Sequence, residues 1–408
     1  MKKIMNALFA AGVLASPLAM ATNGDEMMAV GSQSSALGGT GVANFIGAES
    51  AWANPAMLGK SVGAEITGGL SLFKPEVTNT GMPGGPALGS SANVNYIPDV
   101  SYSRRISDKL TYGIAMAGIA GMGVDYKNDP PATHLKAKTS LSILRILPTI
   151  AYNDSVYGIG FSPILQYGSL ILTYNNGQPY NAAEKKDTSA GVGYSLGGYY
   201  NVSSALTVAA VYQSKISAKY GTQISGASIG FGLCQPAGGG CTGAAPFGDD
   251  LNQPAEIKAG VAYTVSSITV AADYKSIQWG NAAGYKDFAW KNQSVTSIGA
   301  KYAGTGYWLG AGYNHAKDPI GTLPAASGTN AEYRNAAINI FNNMFFPAIV
   351  KNSYSLGGGY DLSKVLAVEG AWVYSPEVNK VVDVANFGGT NTSTHSQSSY
   401  LLSLRYKF

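Results

Sequence analysis

Charge and cysteine are scarce in this chain, and no long apolar run follows its N-terminus. Only 12% of the 408 residues are Asp, Glu, Lys or Arg, balanced at +4. No Lys/Arg stripe forms an electrostatic footprint, which excludes nucleic acid as a partner. No later segment approaches the roughly 18 uncharged apolar residues of a membrane-spanning helix, which removes the helical inner-membrane class. The three histidines, His134, His315 and His395, fall in or beside different predicted loops and are expected to be solvated. The two cysteines, Cys234 and Cys241, have no His or carboxylate in company and build no metal site. No cofactor motif, nucleophile–base pair or close carboxylate dyad stands out, so an enzyme is not expected. Cys234 and Cys241 enclose a flexible Gln-Pro-Ala-Gly-Gly-Gly segment and are expected to close a small disulfide loop in an oxidising compartment.

What is plentiful is glycine, 52 residues, and tyrosine, 26 residues. A glycine- and tyrosine-rich, charge-poor chain suits a membrane barrel, whose outer face meets lipid and whose girdles are aromatic. The N-terminus carries Lys2 and Lys3, an uncharged run through Leu8, Phe9, Val13 and Leu14 broken by Pro17, and then Ala19-Met20-Ala21. This is an export signal expected to be cleaved after Ala21, leaving residues 22–408.

Period-two alternation recurs along the rest. In Ser399–Phe408 the even positions are Tyr400, Leu402, Leu404, Tyr406 and Phe408, and the odd ones include Ser399, Ser403, Arg405 and Lys407. One face suits lipid and the other a polar lumen. Fourteen such segments are predicted: 61–74, 95–106, 110–124, 140–152, 155–174, 188–201, 205–220, 254–264, 267–279, 293–303, 306–315, 352–361, 364–374 and 397–408. Tight turns such as Ser107-Asp108 and Gly304-Thr305 alternate with long Gly/Pro/Asn-rich loops, the last of them at 375–396. The expected fold is all-β, a fourteen-stranded antiparallel transmembrane β-barrel over residues 61–408, closed so that no edge stays unpaired. Residues 22–60 do not alternate, and their apolar members, Val42, Phe45, Ile46, Trp52, Met57 and Leu58, suit a small plug (hatch) in a lumen too wide for side chains to fill.

Three pieces of the plug, Thr22-Asn23-Gly24, Ala36-Leu37-Gly38-Gly39-Thr40-Gly41-Val42-Ala43 and Asn54-Pro55-Ala56, resemble the hatch of the FadL/TodX family, outer-membrane transporters of long-chain fatty acids and hydrocarbons. The likeness continues through Gln253-Pro254-Ala255-Glu256-Ile257, Asp273-Tyr274 and Gly310-Ala311-Gly312-Tyr313. The resemblance implies passive uptake of hydrophobic small molecules in the outer membrane, gating by a hatch that includes Gly38, Gly39, Gly41, Asn54, Pro55 and Ala56, and lateral release at a kinked third strand.

That strand, 110–124, holds Gly118, Gly121 and Gly123 at irregular spacing, which marks a bulge or bend: a gap in the wall, or close packing on the plug. The loop at 316–351 carries an apolar stretch with Phe341, Met344, Phe345 and Phe346, expected as a ligand site, a loop core or an outer-leaflet contact. Arg145, Arg334 and Lys351 are candidate partners for a carboxylate, or contacts for lumen water or lipopolysaccharide. A monomer in lipid and lipopolysaccharide is expected. The competing functions are a general porin, which the plug and low charge disfavour, an adhesin acting through its loops, and a rim esterase or phospholipase.

Overall fold

The computed structural model describes residues 22–129, 133–177, 179–231, 233–235, 245–325 and 329–408. Fourteen long strands run antiparallel in chain order: β1 Ala64–Asn79, β2 Asn95–Arg105, β3 Leu110–Asp125, β4 Lys138–Asn153, β5 Tyr157–Asn175, β6 Asp187–Asn201 and β7 Leu206–Gln213. They continue as β8 Glu256–Val265, β9 Ile268–Ile277, β10 Gln293–Gly304, β11 Tyr307–Ala316, β12 Asn352–Asp361, β13 Leu366–Val384 and β14 Gly389–Lys407. β14 pairs with β1 from Lys407↔Glu65 to Ser393↔Asn79, which closes the cylinder between its first and last strands.

Alternation sets the two faces. On β14, Leu402 and Leu404 are exposed while Ser403 and Arg405 are buried. Exposed tyrosines mark both ends of the apolar band. Tyr212, Tyr274, Tyr354 and Tyr400 form one girdle, and Tyr157, Tyr263, Tyr302 and Tyr360 the other.

Three expected boundaries shift. The loop expected at 375–396 is mostly strand: β13 and β14 extend to Val384 and from Gly389, joined by a short turn. Their Val, Thr and Ser residues favour strand, and the irregularity between Ser375 and Val378, at Pro376, hid the continuity. β7 ends at Gln213, because Ile216 and Lys219 pair with the returning loop at Gln253 and Asp250 instead. β1 runs on to Asn79, past Pro75.

Residues 23–61 lie inside the cylinder. They form helix α1 Ser32–Ala36, a 3-10 turn at Gly47–Glu49, helix α2 Ser50–Ala53 and a 3-10 stretch at Pro55–Lys60. Glycines of the wall make room for them. A Cβ at Gly312 would overlap the backbone of Gly38, and one at Gly160 the Pro55–Ala56 peptide. At Gly38 itself φ is +69°, a left-handed conformation that glycine adopts without strain.

Candidate functional site

Three long connections fold over the mouth opposite the tight turns. They carry helix α3 Gln223–Gly230, the two short 3-10 turns of 278–292, and helix α4 Asn330–Phe345. The apolar stretch expected inside a polar loop is thus the buried face of a helix. α4 starts where Thr329 and Glu332 form a capping box, so two of its first-turn amides are satisfied and the chain can turn inward. Phe341 stacks on Phe288 at 4.9 Å and on Phe345 at 4.8 Å, and Phe231 meets both phenylalanines of α4 edge-on.

Beneath these rings lies a narrow cavity of about 20 Å³. Tyr285, Phe288, Trp290, Phe341 and Phe346 line it, with Met122 of β3 as part of the floor. Among the described residues no charged side chain lines it. Its amide is committed: Asn342 donates to the Phe288 carbonyl at 2.7 Å and accepts from the Trp290 indole at 3.3 Å. The cavity therefore offers rings and methyl groups and withholds free hydrogen-bonding groups, which suits a neutral apolar guest.

The wall beside this cavity is irregular. β3 pairs with β4 through Gly118↔Leu144 and then Ala120↔Ile143, so Ile119 is an extra residue, a β-bulge. Beyond the bulge the in–out alternation disappears, and every residue from Ala117 to Val124 is buried. Pairing between β2 and β3 stops at Asp99↔Ala117, leaving Asn95–Pro98 of β2 without a partner in β3. Pro98, which has no amide hydrogen, stands next to that point, where a ladder can end without loss.

The plug's N-terminal strand fills the inner side of the bend. Glu26 pairs with Ala120, and the Gly121 amide donates to the Asp25 carbonyl at 2.9 Å. The Tyr285 hydroxyl donates to the Asp25 carboxylate, and Gln253 donates to the same oxygen at 3.4 Å. Gly24, at φ +76°, passes under the Trp279 ring at a distance no side chain would allow. Burial pushes the Asp25 carboxyl up to about 6.

Next to this strand is a polar chamber of about 80 Å³, lined by Glu26, Arg145, Glu256, Lys258, Asp273 and Lys275 among others. Arg145 donates to Gln166 at 3.0 Å through Nε, and its terminal Nη2 sits 3.6 Å from Glu26, an ion pair too long for a hydrogen bond. Burial, then the nearby Glu256 carboxylate, pushes Glu26 up to about 8. Lys258 and Lys275 lie 3.3 and 3.7 Å from Glu256. Asp273 accepts from the amides of Gly41 and Val42 at 2.8 and 2.9 Å, holding the glycine-rich turn of the plug to β9.

A closed fourteen-stranded barrel with a lumenal plug, an uncharged outer cavity and a bulged third strand is the frame against which the chain was compared with known proteins. The sequence model described as "Outer membrane protein transport protein (OMPP1/FadL/TodX)" matches residues 11–408. The chain belongs to this family. The family's work is passive transport of hydrophobic compounds across the outer membrane. No curated relative matches by sequence. Among solved structures, the Pseudomonas putida toluene transporter TodX is similar at 19% identity and TM-score 0.67, covering 95% of this chain and 100% of that one. A Pseudomonas aeruginosa FadL homologue is similar at 17% and 0.66, with coverage of 94% and 100%. The Ralstonia pickettii toluene transporter TbuX is similar at 17% and 0.61, with coverage of 93% and 99%. At these identities the likeness is one of fold.

In this FadL/TodX member the residues singled out by sequence are dispersed. Phe341 and Phe346 line the outer cavity, and Met344 and Phe345 are buried beside it. Arg145 lines the polar chamber instead. Arg334 lies over the Phe247 ring at 5.2 Å, at the outer end of the aromatic cluster, and Lys351 is exposed and lines none of these cavities. Asn54 caps the 3-10 stretch by accepting from Ala56 at 2.9 Å, and donates to Val42 at 2.7 Å and to Gly198 of β6 at 3.3 Å. Gly118 and Gly121 flank the bulge, Gly123 follows it, and Gly39 at φ +86° turns the plug under Met28. The Cys234–Cys241 pairing and the signal at 1–21 lie outside the described residues.

Two histidines correct the expectation of solvation. His134 is buried, bonded to the Asn79 carbonyl at 2.6 Å and to Asp129 at 3.2 Å, and His395 is buried against the Pro347 carbonyl at 2.8 Å. Both tie the loops to the barrel rim. Sequence reasoning missed the tie between Asp25 and Tyr285 because the two stand 260 residues apart in the chain. It also missed the hub at Arg405, which pairs with Glu49 and Glu369 at 2.9 Å each and with Glu65.

Proposed function

We propose that this family member carries small neutral hydrophobic molecules, aromatic hydrocarbons ahead of long-chain fatty acids, from the outer cavity to a lateral exit between β2 and β3. The observation that carries the reading is the cavity itself: five aromatic rings, no charge, and a floor that includes Met122 of the bulged strand. A fatty-acid carboxylate brought there would lose its water and meet no cation, at a cost of several kcal/mol. Solved relatives of the same fold are described as toluene transporters, and a toluene ring needs less widening of this narrow cavity than a fatty-acid chain does.

Lateral exit is favoured by what lies below. Past the plug the lumen is crossed by Arg405 with Glu49, Glu65 and Glu369, a route that would strip a hydrocarbon of apolar contact. Sideways, the wall offers Ala117, Ile119, Met122 and Val124. Arg145, whose terminal nitrogen meets Glu26 only at 3.6 Å, would receive the polar end of any amphiphile that passes the outer cavity by exchanging that long contact.

The test is uptake of labelled toluene and oleate by cells with and without this protein, alongside a variant with Asn54 and Pro55 both changed to Ala. Toluene uptake that depends on the protein, exceeds oleate uptake and changes in the variant at equal barrel levels is the expected result. Permeation of small sugars with neither hydrophobic flux would make the protein a porin.

A further inference from the structure

At the end of the barrel with the tight turns, below α1, the lumen opens into a chamber of about 260 Å³, larger than either cavity above the plug. One water needs roughly 10–15 Å³ of such space, so the chamber has room for a ring rather than a single water. One side is plug, with Gln33, Phe45 and Gly47, and the other is wall, with Lys301 of β10, Trp308 of β11 and Glu369 of β13.

The charges in this chamber are unequally committed. Glu65 and Glu369 are both engaged by Arg405, and Glu369 also accepts from the Gln33 amide at 2.9 Å and the Trp308 indole at 3.2 Å. Arg405 is in turn saturated by its three carboxylates. Lys301 is half-buried, and its hydrogen-bond acceptor is the Gln33 side-chain oxygen, at 3.4 Å. Among the described residues no carboxylate comes within ion-pair distance of it. At the mouth, Lys407 and Asp361 are exposed to solvent. The deep end therefore holds one cation whose hydrogen-bond acceptor is a neutral amide, with Glu369 acting on it only from beyond ion-pair distance, and the rings of Phe45 and Trp308 are half-exposed in the same chamber.

We propose that this chamber is a second binding site, reached from the periplasmic end, for a molecule that joins a carboxylate to a ring or short apolar body. The carboxylate would meet the Lys301 ammonium in a charge-assisted bond, and the apolar body would lie against Phe45 and Trp308. Because Phe45 and Gln33 belong to the plug and Lys301 and Trp308 to the wall, an occupant bridges the two. Occupancy accordingly stabilises the seated plug by mass action, as any ligand stabilises the state that binds it.

The test uses the full chain in lipid nanodiscs and equilibrium dialysis of labelled benzoate, with benzyl alcohol as its neutral counterpart. Benzoate is expected to bind about tenfold more tightly, the size of one charge-assisted bond. The preference should shrink as salt is added, and excess toluene should not displace benzoate. Lys301→Met should erase the preference while the folded barrel keeps its heat-resistant migration in detergent gels. Equal affinities in the unaltered chain, displacement by toluene, or a preference that survives Lys301→Met would each overturn the proposal. Should Lys301→Met fail to assemble, the salt and toluene measurements on the unaltered chain decide. None depends on what the outer cavity carries, so this site and the transport reading fail separately.

Discussion

The Tyr285 hydroxyl donates to the Asp25 carboxylate, so a side chain that lines the outer cavity also holds the plug strand that lies against the bulge of β3. Cavity, plug and bulge meet within a few residues, so the contacts bear directly on how firmly the plug strand is held. Tyr285→Phe leaves the Asp25 carboxylate with the long bond from Gln253 alone, at a cost of about 1–3 kcal/mol. The expected outcome is faster hydrogen exchange at the amides of Glu26 and Met27 with the exchange of β10 unchanged.

The same contact gives a pH dependence. Burial raises Asp25 from 3.8 to about 6, so the docked strand prefers the protonated acid. Docking is then strongest below pH 4 and weakens as pH rises to about 6, by about 3 kcal/mol. Glu26, raised to about 8, acts with the same sign up to that pH. In a Glu26→Gln background, protection of the strand should fall between pH 4 and 6 and then level off. Asp25→Asn should flatten it throughout.

Arg405 pins the opposite side of the plug, bonding Glu49 and the Ile46 carbonyl within the plug and Glu65 and Glu369 in the wall. Arg405→Met leaves three carboxylates facing one another without their guanidinium, at a cost of about 3–5 kcal/mol. A lower melting transition and ion conductance in planar bilayers are the expected readouts, with partial recovery when Glu49→Gln is added.

Phe341 is stacked between Phe288 and Phe345, and each such pair contributes about 0.5–1.5 kcal/mol beyond its area. Phe341→Leu keeps most of the apolar volume and loses the stacking. Toluene uptake should fall several-fold while cyclohexane uptake changes little, as measured in the same cells.

Much of the barrel was legible because its causes are local. The alternation Tyr400, Leu402, Leu404, Tyr406 against Ser403 and Arg405 is dictated by one face meeting lipid, and every barrel strand carries some version of it. The pattern failed where a strand stopped having two different faces. β3 loses its alternation at Ala117 because the plug and loops cover both sides of it, and only its glycines hinted at this. α4 was hidden because its apolar face is aimed at other loops, a tertiary fact, although Thr329 and Glu332 were a readable helix start. The plug's glycine turns and Asn54 were found through the family resemblance, whereas Asp25, Tyr285 and Lys301 take their meaning from neighbours far along the chain.

The most direct test of lateral exit removes one residue. Deleting Ile119 brings Gly118 and Ala120 into continuous register with Leu144 and Ile143, which straightens β3 and lets it pair with β2 above Asp99. Toluene uptake would be measured in cells carrying equal amounts of folded deletion variant or unaltered chain. The account predicts that uptake in the variant falls to the level of cells lacking the protein. Uptake equal to that of the unaltered chain, with the barrel assembled, would contradict a lateral path and send the substrate down through the plug.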